Sequence, residues 1–472
     1  MELLTFEFFF LIIPLFMSVS AIKKNNQIIL IIIALLFYFL NAPADFLFFI
    51  FYISISYVCL LSKNLYAVIM INIILLFVFK YLDGWILNYL TNGTFLPLAL
   101  SFLAFQNIAL AIDIRRGKTK IPPILQYLTF ITFFPQLFAG PICRFTDLSP
   151  QLQNQNRSRQ NLILGSVACL IGLFKKLVLV PIFAIYSGTL YNQAAIQELS
   201  QIEAWVGVIA YSLELYFDFS AYADLAIGIG LLFGVALPQN FNSPYKARSI
   251  SEFWQRWHIT LHLFFKDYIY KPLCNQFKFS LTSRIGACFL ICFLSGVWHG
   301  NSVGFIVWAI GHSTLITIEL ILKRYLPQPV NIFAISVFEK IFNMLRVIAV
   351  FLLVTLLWVP FRAESMTDAI TIIEVLFRLD HSNGKENLNA TNILSIPLIT
   401  VGILVVWMSR NTQSILMASQ PLVKRLNRQY WGKSTKPLLI VLYLTFFGLV
   451  AAMFYLNELF FQSPTEFIYF KF

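Results

Sequence analysis

The chain is poor in charge. Only 12% of its 472 residues are Asp, Glu, Lys or Arg, against about a quarter in an ordinary soluble domain. Hydrophobic residues make up 59%, and mean hydropathy is +0.76. Too few charges remain to cover a water-facing surface, which excludes the roughly three soluble domains this length could hold. The apolar runs are long and do not alternate, which excludes disorder, collagen, a coiled coil and a transmembrane β-barrel. The sequence has no Walker loop, dinucleotide fingerprint, GxSxG elbow or haem motif, so neither an ATP-driven pump nor a redox enzyme is expected. None of the six cysteines (Cys59, Cys143, Cys169, Cys274, Cys288, Cys292) forms a CxxC pair, and they read as small apolar packers. Cys274 follows a basic amphipathic stretch and is the candidate for lipidation. The N-terminus lacks a basic n-region and a small-residue cleavage site, so Leu3–Ser20 reads as a retained first span.

What remains is a series of membrane spans, each needing about 20 apolar residues. Candidates are Leu3–Ser20, Ile28–Leu40, Phe46–Leu61, Leu65–Phe79, Phe95–Ile112, Asn161–Tyr186, Ile202–Asp218, Tyr222–Leu237, Leu281–Val297, Val303–Leu322, Phe338–Val359, Asn392–Ser409 and Leu438–Leu459. A kink is expected near Pro181. Leu125–Ala139, short and ended by Pro135 and Gly140-Pro141, reads as re-entrant. Ala369–Leu379 and Ser414–Arg428 read as interfacial helices. The formal charge is 34 − 22 = +12. No aromatic-basic nucleic-acid module accompanies it, and the positive-inside rule accounts for it. With the N-terminus extracytoplasmic, Lys23-Lys24, Lys63 and Arg115–Lys120 all fall on the cytoplasmic side. There is no internal repeat and no separate soluble domain. The chain reads as one integral-membrane domain, 1–472, with N-terminal spans 1–94, a core 95–365, and C-terminal spans with an aromatic tail 366–472.

The stretch Phe241–Leu273 is a basic amphipathic helix or two short ones, with Ser249 or Ser251 as cap and Glu252–Arg256 as an i,i+4 pair. It lies at the membrane surface or dips into it. Its cations, Lys246 and Arg248 among them, suit anionic lipids or a phosphate-rich donor. Chemistry-bearing side chains are few. The histidines are His258, His262, His299, His312 and His381. His299, in LSGVWHGNSVGF, is an ionisable group at membrane depth and a functional candidate by position. Gly296, Gly300 and Gly304 around it either permit close helix approach or break the helix. His258 and His262 are i,i+4, but HExxH is absent and no third ligand is evident, so no metal site is expected. Tyr211, Glu214, Asp218 and Tyr222 share one helix face and need partners. His312 and Glu319 share another and read as structural.

Several blocks now resemble a known family, the membrane-bound O-acyltransferases, and most of all its branch containing the bacterial alginate O-acetyltransferase membrane subunit. They are PLALSFLAFQNIALAIDIRRGK (Pro97–Lys118), FFPQLFAGPICRFTDLSPQL (Phe133–Leu152), Tyr216–Leu273 with FDFSAYADLAIGIG, FWQRWHITL and KDYIYKPL, then LSGVWHG (Leu294–Gly300), VPFRA (Val359–Ala363) and the tail FIYFKF (Phe467–Phe472). Two departures stand out: Cys274-Asn275-Gln276-Phe277 replaces a Gly-Gly-Asn-Arg-like turn, and Ala221 stands where that branch often has Gly.

The resemblance implies an all-α polytopic fold of about eleven transmembrane helices, with re-entrant and interfacial helices around a central tunnel. It implies His299 as the catalytic histidine and His258 as the second signature histidine, with Arg256, Trp257, Trp298 and Asn301 shaping the site. A neutral imidazole, with a reference pKa near 6.5, suits removal of a hydroxyl proton. The expected reaction is acetyl transfer from a cytoplasmic thioester, acetyl-CoA or another, towards hydroxyls of an extracytoplasmic polysaccharide such as an alginate-like polymer or peptidoglycan. No tightly bound cofactor is expected. The location is the bacterial inner membrane. A separate extracytoplasmic transferase is the expected partner, docking at Phe467–Phe472; an interfacial aromatic anchor is the other reading of that tail. Two rivals stay open: D-alanyl transfer to teichoic acid from an acyl carrier protein, and a secondary transporter or flippase.

Overall fold

The computed structural model describes residues 7–22, 27–81, 97–137, 140–191, 196, 199–325, 337–378, 390–430 and 436–461. The tail Phe467–Phe472, His381 with its polar loop, and Lys23-Lys24 lie outside the described residues. Among the described residues the regular structure is helical. In chain order the α-helices are α1 (Ile13–Ile22), α2 (Gln27–Asn41), α3 (Phe46–Leu61), α4 (Leu65–Phe77), α5 (Leu100–Arg115), α6 (Ile124–Ile131), α7 (Phe134–Leu137), α8 (Phe145–Gln153), α9 (Arg159–Phe174), α10 (Val180–Tyr191) and α11 (Gln201–Leu232). There follow α12 (Ile250–Arg256), α13 (Ile259–Phe265), α14 (Lys271–Gln276), α15 (Leu281–His299), α16 (Val303–Tyr325), α17 (Val337–Arg362), α18 (Met366–Leu376), α19 (Ala390–Met408), α20 (Thr412–Tyr430) and α21 (Lys436–Phe461).

Among the described residues, six helical segments are long and apolar enough to cross a membrane, seven if the broken pair Ser395–Met408 and Thr412–Arg425 is one span; four shorter apolar helices accompany them. The chain is an all-helical, polytopic membrane protein. One expectation changes in detail. The separate spans expected at Ile202–Asp218 and Tyr222–Leu237 are one continuous helix, α11, of 32 residues. Nothing in Phe219-Ser220-Ala221 breaks a helix, and at 1.5 Å per residue α11 extends about 48 Å, beyond the roughly 30 Å hydrocarbon core. At the kink site, a π-helical turn (Lys175–Leu179) sits just before Pro181. The re-entrant candidate divides into α6 and the single turn α7.

The chain divides into two compact units. The first comprises residues 1–177, 220–239 and 412–464. Its interior holds a closed polar network. Asn107 Nδ2 donates to the Tyr52 hydroxyl (3.3 Å), which in turn donates to Asn72 Oδ1. The Tyr127 hydroxyl donates to Asn107 Oδ1 (3.1 Å). Glycine lets α9 approach the later part of α11: a Cβ on Gly165 would lie 2.8 Å from the Gly228 carbonyl oxygen.

Among the described residues, the second unit comprises those within 178–219 and 240–411. Here α15, α16 and α17 pack in succession through small residues. A Cβ on Gly296 would lie 2.7 Å from the Phe305 carbonyl oxygen, and one on Gly304 would collide with the Pro360 carbonyl oxygen. Gly300 caps α15 instead. Close approach is thus seen at Gly296 and Gly304, and a helix end at Gly300.

Candidate active site

The site is built on a helix break. Ser249 caps α12, its hydroxyl accepting from Glu252 N (3.2 Å), and Glu252 Oε1 pairs with Arg256 (2.8 Å). The helix then stops. Trp257 is extended, and His258 takes a left-handed conformation (φ 43°, ψ 53°) before α13 begins. For a non-glycine residue this costs about 1–3 kcal/mol and persists only where its surroundings enforce it. Asn240 enforces it. Its carbonyl oxygen accepts from Ile259 N (2.9 Å), and its side-chain Oδ1 accepts from Thr260 N (3.2 Å) and Thr260 Oγ1 (2.8 Å). His258 Nδ1 lies 3.2 Å from the same Oδ1. A backbone N–H can only donate, so the amide atom facing Thr260 is the oxygen. His258 Nδ1 therefore carries the proton, and Nε2 presents a lone pair. Nε2 has no partner among the described residues, although His258 is 3% exposed. Burial pushes the His258 imidazole down to about 3, so it is neutral at ordinary pH.

His258 lines a cavity of about 410 Å³. Its other walls include Trp254, Leu261, Phe265, Cys288, Ile291, Cys292, Ser295 and Trp308, along with Lys266, Arg284 and Lys323. The three cations are exposed, whereas His258, Cys292, Ser295 and Trp308 are buried. The cavity thus runs from a cationic rim, along apolar walls, to a buried end that holds an imidazole and an indole. Lys323 is shared with Glu319 on α16, and Arg284 Nε approaches the Tyr270 hydroxyl at 3.4 Å. His262 also lines it, with burial and the Lys266 charge drawing its imidazole down to about 4.

His299 ends α15 and is 5% exposed. It does not appear among the described residues lining the cavity. Trp308 joins the two: it lines the cavity, and its ring stands edge-on to the His299 ring (centroids 5.4 Å, 89°). Phe361 (4.9 Å), Trp298 (4.6 Å) and Phe305 (6.0 Å) complete the aromatic shell of His299. Trp298 also stands 6.4 Å from the His258 ring. The two predicted imidazoles are thereby brought into one aromatic cluster.

The other predicted residues divide. Trp257 is buried, stacked on Phe253 (5.6 Å) and 5.3 Å from Trp358. Arg256 spends its guanidinium on Glu252 and on the Asn242 carbonyl oxygen (3.0 Å). Lys246 Nζ donates to the Ser409 carbonyl oxygen (2.7 Å), and the Arg248 backbone bonds Glu252 and Arg346. Asn301 is exposed in the turn after Gly300. The cations at the cavity are Lys266, Arg284 and Lys323, and neither Lys246 nor Arg248 is among the described residues lining it.

Of the remaining polar candidates, Glu214 bonds Ser187, and the Tyr211 ring packs on Tyr191 (5.4 Å). His312 accepts at Nδ1 from Trp254 Nε1 (3.3 Å), and Glu319 accepts from Ser251 N (2.9 Å). Sequence reading missed Asn240 and Trp308. Trp308 carried a signal: it lies four residues before His312, on one face of the helix that follows His299.

A family model described as MBOAT, membrane-bound O-acyltransferase family, matches residues 46–357. The chain is 33% identical over 314 residues to the probable alginate O-acetylase of Pseudomonas fluorescens, covering 66% of this chain and 60% of that protein. It is 34% identical over 349 residues to the peptidoglycan O-acetyltransferase of Helicobacter pylori, covering 66% and 63%. It is 31% identical over 235 residues to the teichoic acid D-alanyltransferase of Bacillus subtilis, covering 47% and 58%. The chain spans about 60% of the length of the curated relatives it matches.

Proposed function

The chain belongs to the membrane-bound O-acyltransferase family, and we propose that it moves an acetyl group from a cytoplasmic thioester across the inner membrane towards hydroxyls of an extracytoplasmic polysaccharide. The observation that carries this reading is the cavity: a cationic rim, apolar walls, and a buried end one indole away from His299. That gradient matches a thioester donor with phosphates at one end and an acyl group at the other. Lys266, Arg284 and Lys323 hold the phosphates, while the apolar walls exclude water from the thioester. His299 takes the proton of the accepting hydroxyl as its oxygen attacks the carbonyl carbon. The thiolate leaves and is protonated in turn. His258, its tautomer set by Asn240, orients the donor from the other side of the cluster. In this reading the acetyl group crosses by a central tunnel, and a separate extracytoplasmic transferase docking at Phe467–Phe472 completes delivery to the polymer. The acetyl branch is supported by relatives named for alginate and peptidoglycan O-acetylation.

A second reading is D-alanyl transfer, which the teichoic acid relative favours over a shorter stretch. One experiment separates the two. Alkali-labile acetate and D-alanine are measured on purified envelope polymers from cells with the wild-type chain, a deletion, and His299→Ala at equal protein level. Acetate lost equally from deletion and variant supports acetyl transfer, and the depleted fraction names the acceptor. D-alanine lost instead supports the second reading. Loss of neither overturns both.

A further inference from the structure

Two residues that line the cavity each carry a buried nitrogen without a partner among the described residues. His258 Nε2 is one, a lone pair. Trp308 Nε1 is the other, in a residue that is 2% exposed. An indole N–H can only donate, and a buried donor left unpaired is costly. Such a group persists where an acceptor arrives with a ligand. Trp308 both lines the cavity and stands edge-on to His299.

We propose that the Trp308 indole N–H is the hydrogen-bond donor to the acyl carbonyl oxygen of the thioester held in this cavity. The proposal rests on the acyltransfer reading above and deepens it. When the acceptor oxygen bonds to the carbonyl carbon, the carbonyl π electrons move onto oxygen and the hydroxyl proton passes to imidazole. The Trp308 N–H meets that developing negative charge. Collapse reforms the carbonyl, breaks the carbon–sulfur bond and releases the thiolate, which takes the proton. The donor is in place beforehand, in a water-poor pocket where such a bond is strong. Trp358 serves as the internal comparison. It stacks on Trp308 (5.9 Å, 19°) and its Nε1 is also unpartnered among the described residues, yet it is not among the residues lining the cavity.

The test uses the full chain in lipid nanodiscs with its indole nitrogens ¹⁵N-labelled. The Trp308 N–H signal is assigned by its loss in Trp308→Phe. The probes are acetonyl-coenzyme A, which keeps a carbonyl but cannot transfer it, and propyl-coenzyme A, which lacks one. Binding of each is measured separately by calorimetry. The expected result is a downfield proton shift of the Trp308 signal with the ketone and none with the alkyl analogue. With acetyl-CoA as donor, Trp308→Phe is expected to lower kcat by about 10²–10³ with KM nearly unchanged, the size of effect when one oxyanion donor is removed. Trp358→Phe is expected to lower it less than about tenfold. Saturable binding of the ketone without a Trp308 shift, or equal kcat losses in the two variants, overturns the assignment and leaves acyl transfer standing. No binding of either analogue removes coenzyme A thioesters from the cavity and the proposal with them. Esters intact in His299→Ala cells would instead overturn the function on which it rests.

Discussion

In the first unit, the Lys175 ammonium lies 2.6 Å from Asp224 Oδ2, 3.1 Å from Ser220 Oγ and 3.4 Å from Thr412 Oγ1, and the same Asp224 oxygen accepts from Thr412 at 2.6 Å. In the second unit, a more deeply buried cluster of imidazoles and indoles leaves His258 Nε2, His312 Nε2, Trp308 Nε1 and Trp358 Nε1 without partners among the described residues. Both regions bury polar groups where water cannot compete. The first is closed: its charges satisfy one another and hold residues far apart in the chain together. The second is open, and part of it lines a cavity. Scattered acceptors such as Gln106 Oε1 also lack partners in the first unit, but Gln106 does not line a cavity described there. The contrast separates polar groups that satisfy one another from polar groups that the described residues leave without partners.

The comparison can be broken from either side. His299→Ala should lower acyl transfer by about 10²–10⁴, the usual worth of a general base, while costing less stability than loss of the ion pair; ester release and thermal unfolding of the detergent-solubilised chain read the two. Lys175→Met should do the reverse. It strands a buried carboxylate and should cost about 3–5 kcal/mol. Adding Asp224→Leu should recover most of that loss, and equal losses in the single and double variants would show that charge pairing is not what holds this region. Asn107→Leu removes a shared partner of Tyr52 and Tyr127 and should cost about 1–3 kcal/mol without changing transfer chemistry. The smallest effect is that of pH. His258 sits at about 3 when folded and near the ordinary 6.5 when unfolded. The unfolded chain therefore binds the extra proton, and stability from this group is full above about pH 6.5 and falls as pH drops towards 3. At pH 5.5 the loss is about 1.4 kcal/mol, and it should vanish in His258→Gln; a pH series of unfolding midpoints checks it.

The all-helical membrane class was readable because lipid demands continuous apolar helices. Ser249 capping and the Glu252–Arg256 pair were readable because both are local. The chain's membership in its family was readable from blocks such as LSGVWHG and FWQRWHITL, which keep their order along the sequence. The single long α11 was not, since the polar residues Asp218 and Ser220 within it look like an interruption until their burial is seen. Nor were the cavity's cations. Lys246 and Lys266 each follow an aromatic residue in the same basic stretch, yet one bonds the Ser409 carbonyl and the other lines the cavity. Asn240 escaped notice because its role depends on a hydrogen bond across eighteen residues to a histidine in a left-handed turn.

The sequence by itself determined the class of molecule. Its low charge and long apolar runs permit only a helical membrane protein, because every buried backbone group must find its partner within the same segment. It also determined where ionisable groups enter that apolar chain, and so which few side chains were available for chemistry. Tertiary structure decided what those side chains are for. Packing brought Asp224 to Lys175 and closed that network. It brought Trp308 to His299 and left its buried N–H without a partner among the described residues. The difference between a structural group and a site lies in whether the fold supplies the last hydrogen-bond partner, and that depends on contacts between distant segments.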